Sequence, residues 1–122
     1  MERLRHRADF VAAASGMRAP APAFVLQVRR REDEGPARVG ITVSRKVGSA
    51  VERNRVRRRL REMVRKAGAD VMKSGHDYVL VARRAALSDP FERLISDFSG
   101  AARRAFGRRG APGPKAGADR AP

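Results

Sequence analysis

Charged side chains are most concentrated between Ser44 and Lys66, where a run of cations is opposed only by Glu52 and Glu62. Like charges three or four residues apart on a helix repel by about 0.2–0.5 kcal/mol per pair, and few carboxylates relieve them here. A guanidinium can donate two parallel hydrogen bonds to a phosphate and can stack on a base. The run therefore indicates a phosphate-bearing ligand; the alternative is a solvated face that only aids solubility. Its ten cations are Arg45, Lys46, Arg53, Arg55, Arg57, Arg58, Arg59, Arg61, Arg65 and Lys66.

Most of these cations fall on one predicted helix over residues 49–67. Ser49 and Glu52 have the spacing of a capping box at its start. An apolar stripe at helical spacing would hold the helix on a core; it consists of Val56, Leu60, Met63, Val64 and Ala67. One side of the stripe, which we name the basic flank, carries Asn54, Arg57, Arg58, Arg61 and Arg65, and the other side carries Arg55, Arg59 and Lys66.

The composition agrees with a polyanionic partner. The chain has 122 residues, enough for one domain, with 28 Lys and Arg against 13 Asp and Glu and a net charge of +15. This balance argues against an ordinary metabolic enzyme and favours nucleic acid over an anionic membrane. Cysteine is absent, which excludes disulfides, thiolate metal sites and a cysteine nucleophile.

No group of residues has the spacing of a catalytic site. The two histidines lie far apart, the aspartates show no pairing for two-metal catalysis, and no serine has a partner that would activate it. We therefore predict no catalytic residue and no metal ligand in the chain, and we interpret Asp77 as a turn residue at a strand entry. The residues that could act in catalysis but lack a suitably spaced partner are His6, His76, Asp70, Asp89, Asp97 and Ser44.

The remaining patterns predict the elements that must position the basic helix. Alternating or continuous apolar runs predict strands over residues 23–29, 38–45 and 78–83, the first two forming a hairpin. Helices are predicted over residues 8–15 and from a cap at Asp89, with Pro90 at the first helical position, to Gly107. We expect residues 1–6 to be loose, 19–22 to be an extended connector, and 107–122 to be a disordered basic tail.

The predicted order is αββαβα, an α+β protein with one domain over residues 1–106. We expect a two-layer α/β sandwich of the ribosomal-protein-S5-like type, with a small mixed sheet and room for an extra short strand. No apolar run reaches the roughly 20 residues that span a bilayer, and the charged N-terminus has no signal-peptide segment. A cytoplasmic protein without a membrane partner is the expectation.

The segment RVGITVSRKVGSAVERNRVRRRLREMVR, Arg38 to Arg65, closely resembles the signature region of the bacterial ribonuclease P protein family. The resemblance extends to Asp9–Phe10, to the FVL strand at Phe24 and to DYVLVAR at residues 77–83. It covers residues 3–106 in unbroken order, which a single short motif does not do.

The resemblance implies a subunit that pairs with a large catalytic RNA, one protein per RNA, and removes the 5′ leader from precursor tRNA. Magnesium ions, held mainly by the RNA, would serve the hydrolysis, and the protein would supply no catalytic side chain. It further implies an R-N-R element at residues 53–55, a loop that includes Gly48, and a leader cleft containing Phe10 and Gln27. Together with the basic flank, the predicted RNA-binding residues are Arg45, Lys46, Arg53, Asn54, Arg55, Arg57, Arg58, Arg61 and Arg65.

Two departures from the family pattern concern the leader cleft. The family often has aromatic residues where this chain has Ala14 and Gln27. We therefore expect fewer stacked bases and more reliance on charge. Phe10 itself has two open interpretations, core packing or base stacking. A general RNA-binding protein, such as a small ribosomal protein, is the alternative function, and the few acids and histidines speak against a self-sufficient nuclease.

Overall fold

The computed structural model describes residues 2–110, with side chains described to residue 106. Within this range five strands form one sheet in the order β1-β4-β5-β3-β2. The strands are β1 (Glu2–Arg3), β2 (Met17–Pro20), β3 (Phe24–Arg30), β4 (Arg38–Thr42) and β5 (His76–Ala82). The helices are α1 (Arg7–Ala14), α2 (Ala50–Val71) and α3 (Phe91–Gly110), with short 3-10 turns at Arg45–Val47 and Arg84–Leu87.

The two faces of the sheet are covered by different helices because side chains alternate along each strand. Leu26 of β3 and Tyr78 and Leu80 of β5 are fully buried in the main core, where the apolar seams of α2 and α3 pack. Val79 and Val81 point to the opposite face and pack with α1. The α+β class and the mixed sheet are confirmed, with β4 parallel and β3 antiparallel to β5.

The predicted hairpin between the first two strands is wrong. β5 lies between β3 and β4 and pairs with both along its length. Its nearly continuous apolar run suits this central position, where both faces are covered. The turn residues after β3 therefore cross the end of β5 instead of closing a two-stranded ribbon.

The structure has two short strands where the sequence suggested irregular chain. Residues 1–6 are not all loose, because Glu2 and Arg3 pair in parallel with Arg38 and Val39, and Leu4 is buried. The extended connector is part of an edge strand, since Met17–Pro20 pairs antiparallel with β3. Both strands are too short to show an alternation of their own, so only pairing with longer neighbours reveals them.

Both long helices continue past their predicted ends. α2 runs to Val71 with Gly68 buried inside it, and α3 passes Gly107 and is described to Gly110. A glycine costs a helix only about 1 kcal/mol relative to alanine, so packing overrides it. The start of α3 also differs slightly: it begins at Phe91, one residue after the predicted first position, and Asp89 Oδ2 has no hydrogen-bond partner among the described residues.

The predicted tail over residues 107–122 lies outside the described side chains, and residues 111–122 lie outside the described backbone. Among residues 2–110, none of the helices has both the length and the apolar character that spanning a membrane requires.

Candidate RNA interface

The start of α2 is fixed by the capping box that the sequence predicted. The Ser49 hydroxyl accepts a hydrogen bond from the Glu52 backbone N–H at 3.2 Å, and Glu52 Oε1 accepts one from the Ser49 N–H at 2.9 Å. Gly48 makes room for this carboxylate, because a Cβ at that position would lie 2.3 Å from Glu52 Oε1. The preceding turn is anchored by buried Val47 and leaves Arg45 and Lys46 exposed.

Arg84 ties this turn to the rest of the protein and was not anticipated from the sequence. Its Nη1 donates to the Val47 carbonyl at 2.6 Å, and its Nη2 lies 3.3 Å from Glu52 Oε2. The Ser49 N–H, and then the Arg84 guanidinium, hold the pKa of Glu52 below its usual value. Because more than thirty residues separate Arg84 from Glu52, no local pattern could have indicated the contact.

The apolar seam of α2 is buried as predicted, with Val56, Leu60 and Met63 fully inaccessible. Since α2 is continuous, the helical repeat brings the basic flank together on one side of this seam. Asn54, Arg58, Arg61 and Arg65 of the flank are exposed, and Arg57 is half-buried. Arg57 Nη1 donates to Asn54 Oδ1 at 3.0 Å, which orients both side chains.

Not every cation of α2 is available to a ligand. Arg59 donates to the carbonyls of Ala86 and Asp89 and so joins α2 to the segment that leads into α3. Arg65 pairs with Glu62 within the helix. Half-buried Arg53 has no hydrogen-bond partner for Nε within the described part of the chain, and Arg55 is exposed. Arg59 is thus a structural residue, whereas exposed Arg55 keeps its guanidinium accessible to RNA; the unpaired Nε of Arg53 is itself buried.

A cleft between α1 and the sheet brings together the two predicted leader-binding residues, Phe10 and Gln27. We name it the α1 cleft. It lies on the face of the sheet opposite α2. The cleft is lined by Arg5, Arg7, Phe10, Val11, Ala14, Gln27, Ile41, Thr42, Val79 and Val81.

Phe10 both packs and lines the cleft, so its two interpretations are compatible. Half-buried Phe10 contacts the small core formed by Leu4, Ala13 and Val79. Its ring lies directly over Gly40 of β4, where a Cβ would come within 2.4 Å of Phe10 Cε1. The absence of a side chain at Gly40 therefore makes room for the Phe10 ring.

Replacing Gly40 by valine is expected to displace the Phe10 ring, because the new side chain would occupy its space. We expect a loss of about 1–3 kcal/mol in unfolding free energy, typical of an overpacked core. Urea denaturation measures this loss. The matched variant Gly100→Ala is expected to change the free energy far less, since a Cβ there meets nothing closer than 3.5 Å. An equal loss in both variants would contradict the steric explanation.

A second cluster on the α1 face was missed in the sequence. We name it the Asp77 cluster; it consists of Asp9, Asp77, Arg29, Arg31 and Arg38. Asp77 is fully buried, and its Oδ1 accepts from Arg31 Nη1 at 2.7 Å and from Arg38 Nε at 2.8 Å. It belongs to β5 and is not the turn residue we predicted.

The Asp77 cluster uses cations that composition alone would assign to RNA. Burial acts to raise the pKa of Asp77, but hydrogen bonds from Arg38 and Arg31 outweigh it and hold the pKa below its usual value. Asp9 is shared by Arg29 at 3.4 Å and Arg38 at 3.5 Å. The three arginines of the cluster therefore serve the fold.

The described residues contain no group of three histidines, aspartates or glutamates placed to hold a metal ion. His76 Nδ1 lies 2.8 Å from the Ser74 carbonyl, and its ring packs edge-on against Phe106. His6 precedes α1 and is exposed. The arrangement that remains is a basic helix on one face of a sheet and a cleft on the other, which is that of an α+β RNA-binding protein.

Comparison with known proteins identifies the family. The family model Ribonuclease P matches residues 1–105. The ribonuclease P protein component of Bartonella quintana is 50% identical over 103 residues, which cover 80% of this chain and 77% of that protein. That of Gluconacetobacter diazotrophicus is 46% identical over 110 residues, covering 89% and 94%. The chain belongs to the ribonuclease P protein family.

Solved structures agree with this assignment. A Staphylococcus aureus RNase P protein mutant with defective mRNA degradation activity is 26% identical with a TM-score of 0.72, covering 85% of this chain and 87% of that one. The RNase P protein from Thermotoga maritima is 29% identical with a TM-score of 0.71, covering 85% and 97%. The chain is thus a subunit of a ribonucleoprotein nuclease that processes tRNA and has an RNA partner; a general RNA-binding protein is not favoured.

Proposed function

We propose that this subunit binds the catalytic RNA of ribonuclease P through α2 and the turn before it, while the α1 cleft holds the single-stranded 5′ leader of precursor tRNA. The observation that supports this division is the anchoring of α2. Its seam, capping box and Arg84 contact fix the helix, so the basic flank is presented as a rigid surface. We further propose that one protein binds each RNA subunit.

The physical role of the subunit is electrostatic. Two RNAs that dock repel each other through their phosphates, and a cationic protein between them neutralises part of this charge and releases counterions. The predicted RNA contacts Arg55, Arg58 and Arg61 are exposed, and none of them forms an ion pair among the described residues. The protein then stabilises the docked complex without supplying a reacting group.

We assign the hydrolytic chemistry, and the magnesium ions that serve it, to the RNA subunit. Two features of the protein support this assignment. No three carboxylates or imidazoles converge within the described residues, so these residues do not fit a metal site of their own. The most buried carboxylate, Asp77, is surrounded by arginines, which disfavour a cation beside it.

Reconstitution at low magnesium concentration tests the proposal. Purified protein is mixed with a ribonuclease P RNA subunit and precursor tRNA, and cleavage at the 5′ end of the mature sequence is measured. We expect site-specific release of the leader to be faster with the protein than with the RNA subunit alone under these conditions. Equal stimulation by an unrelated protein of similar charge, or cleavage by protein freed of RNA, would contradict it.

Single substitutions in α2 are expected to lower the salt dependence of RNA-subunit binding. Arg53→Ala and Arg57→Ala should each reduce the slope of log affinity against log salt by about one unit, because each removes about one phosphate contact. Filter binding across a salt series measures the slope. Arg93→Ala, an exposed arginine on α3, is the control and should leave the slope unchanged. Affinity that does not depend on salt would contradict the electrostatic role.

A further inference from the structure

A groove lies between α2 and the start of α3, on the side of α2 that carries Arg55. We name it the α2–α3 groove. It has a volume of about 560 Å³ and is lined by Arg55, Arg58, Arg59, Glu62, Leu87 and Phe91. Arg58 also belongs to the basic flank, so the groove is continuous with the surface proposed to bind the catalytic RNA. It lies on the main-core side of the sheet, away from the α1 cleft.

The floor of the groove is apolar and includes one aromatic ring. Leu87 ends the turn before α3, and Phe91 is the first residue of that helix. Both are half-buried, because they pack against the main core and still line the groove. An accessible aromatic ring beside cations can stack with a nucleobase of any type. A helical peptide needs apolar anchors over several turns, so these two residues do not suit one.

The rim of the groove is cationic. Arg55 and Arg58 are exposed and form no ion pair within residues 2–106. Lys66 Nζ lies 5.9 Å from the centre of the Phe91 ring. The one carboxylate among the described lining residues, that of Glu62, is paired with an arginine of α2. An anionic ligand in the groove therefore meets positive charge next to the ring.

Arg59 fixes the two walls of the groove relative to each other. Its guanidinium donates to the backbone carbonyls of Ala86 and Asp89, which lie on either side of Leu87 in the segment leading into α3. These hydrogen bonds join α2 to the opposite wall without help from a ligand. The groove is therefore preformed, and binding does not pay the cost of ordering a loop.

We propose that the α2–α3 groove binds one unpaired nucleotide of the catalytic RNA, with its base stacked on Phe91 and its phosphate bound by Arg55 and Arg58. Bases in a duplex are covered by their stacked neighbours, so only a bulged or looped-out nucleotide supplies a free face. The inference rests on the proposed function, because it specifies a contact at the edge of the surface that binds the catalytic RNA. It adds base stacking to an interface that is otherwise electrostatic.

Substitution of Phe91 tests the stack in the complex of the full chain with the RNA subunit. Phe91→Leu keeps an apolar side chain against the core but removes the aromatic face, and we expect affinity for the RNA subunit to fall about fivefold or more. The slope of log affinity against log salt should not change, because stacking neutralises no phosphate and releases no counterion. Phe91→Tyr keeps the ring and should retain wild-type affinity. Filter binding across a salt series measures affinity and slope.

Phe106→Leu is the matched control. Phe106 is also half-buried against the main core, and it lies fifteen residues further along α3, about 22 Å away. The same substitution there should leave affinity for the RNA subunit unchanged, and the melting temperature of each free variant shows that it is folded. Equal losses of affinity in the two variants would overturn the inference.

Cross-linking tests the same contact without a substitution. Ultraviolet irradiation of the wild-type complex should join the peptide that contains Phe91 to one nucleotide that is unpaired in the RNA subunit. Absence of this cross-link, or wild-type affinity in Phe91→Leu, would show that the inference is wrong, while the proposed function, which depends on the basic flank, stands. If the wild-type protein does not bind the RNA subunit, the proposed function fails, and this inference with it.

Discussion

Replacing Asp77 by alanine is expected to lower the free energy of unfolding by about 3 kcal/mol. Removing one partner of a buried ion pair costs about 3–5 kcal/mol, because the opposite charge is left uncompensated. The lower end applies here since Arg29 and Arg38 are 34% and 25% exposed and can turn towards water. Arg31 is only 8% exposed, so its uncompensated charge accounts for most of the lost free energy of unfolding. Urea denaturation monitored by circular dichroism measures the change.

Asp33→Ala is the matched control, because Asp33 also pairs with Arg31, at 2.9 Å, but is 62% exposed. Exposed pairs contribute about 1 kcal/mol or less, so this variant should remain near wild-type stability. Equal losses in the two variants would show that burial of Asp77 is not the cause of the larger effect.

The lowered pKa of Asp77 also makes the free energy of unfolding depend on pH. The pKa of Asp77 is lowered in the folded protein, so its contribution is fully present above the unfolded pKa of about 3.9 and is lost as pH falls further towards the folded pKa. We expect the wild-type protein to lose stability below about pH 4 more steeply than Asp77→Ala does. If the free energy of unfolding falls equally steeply below about pH 4 in both proteins, this assignment to Asp77 is wrong.

Charge reversal of the basic flank is expected to abolish assembly with the RNA subunit. Arg57, Arg58 and Arg61 changed together to glutamate would lose three charge-assisted contacts of at least about 1.5 kcal/mol each. Affinity should fall by roughly a thousandfold or more. These side chains lie outside the buried seam, so the fold should persist. Filter binding with the RNA subunit, together with the melting temperature, measures both effects.

The control reverses three exposed arginines outside α2, namely Arg30, Arg93 and Arg103. It changes the net charge by the same amount, so a purely global effect of charge would weaken RNA binding equally in both variants. We expect the α2 variant to be affected much more strongly. Comparable losses would show that the basic flank has no special position in the complex, and unchanged assembly in the α2 variant would overturn the proposed function.

Local patterns were sufficient for the elements that carry the interface. The apolar stripe, the Ser49–Glu52 spacing and the alternation in β3 act within one turn or one strand, so the sequence predicts them directly. The short strands β1 and β2 were missed because they gain stability only from the strands beside them. The wrong hairpin has the same cause, since pairing partners of a strand are decided by the whole sheet.

The sequence by itself determined a basic helix with a buried seam, an α+β order of elements and, through its motifs, the protein family. Only the tertiary structure decided which cations remain available to RNA. Arg59 and Arg84 bind backbone carbonyls, and Arg31 and Arg38 bind Asp77, through contacts between residues 27 to 46 positions apart. A guanidinium has the same charge wherever it stands in the sequence, and its partner depends on which distant groups folding brings within hydrogen-bond distance.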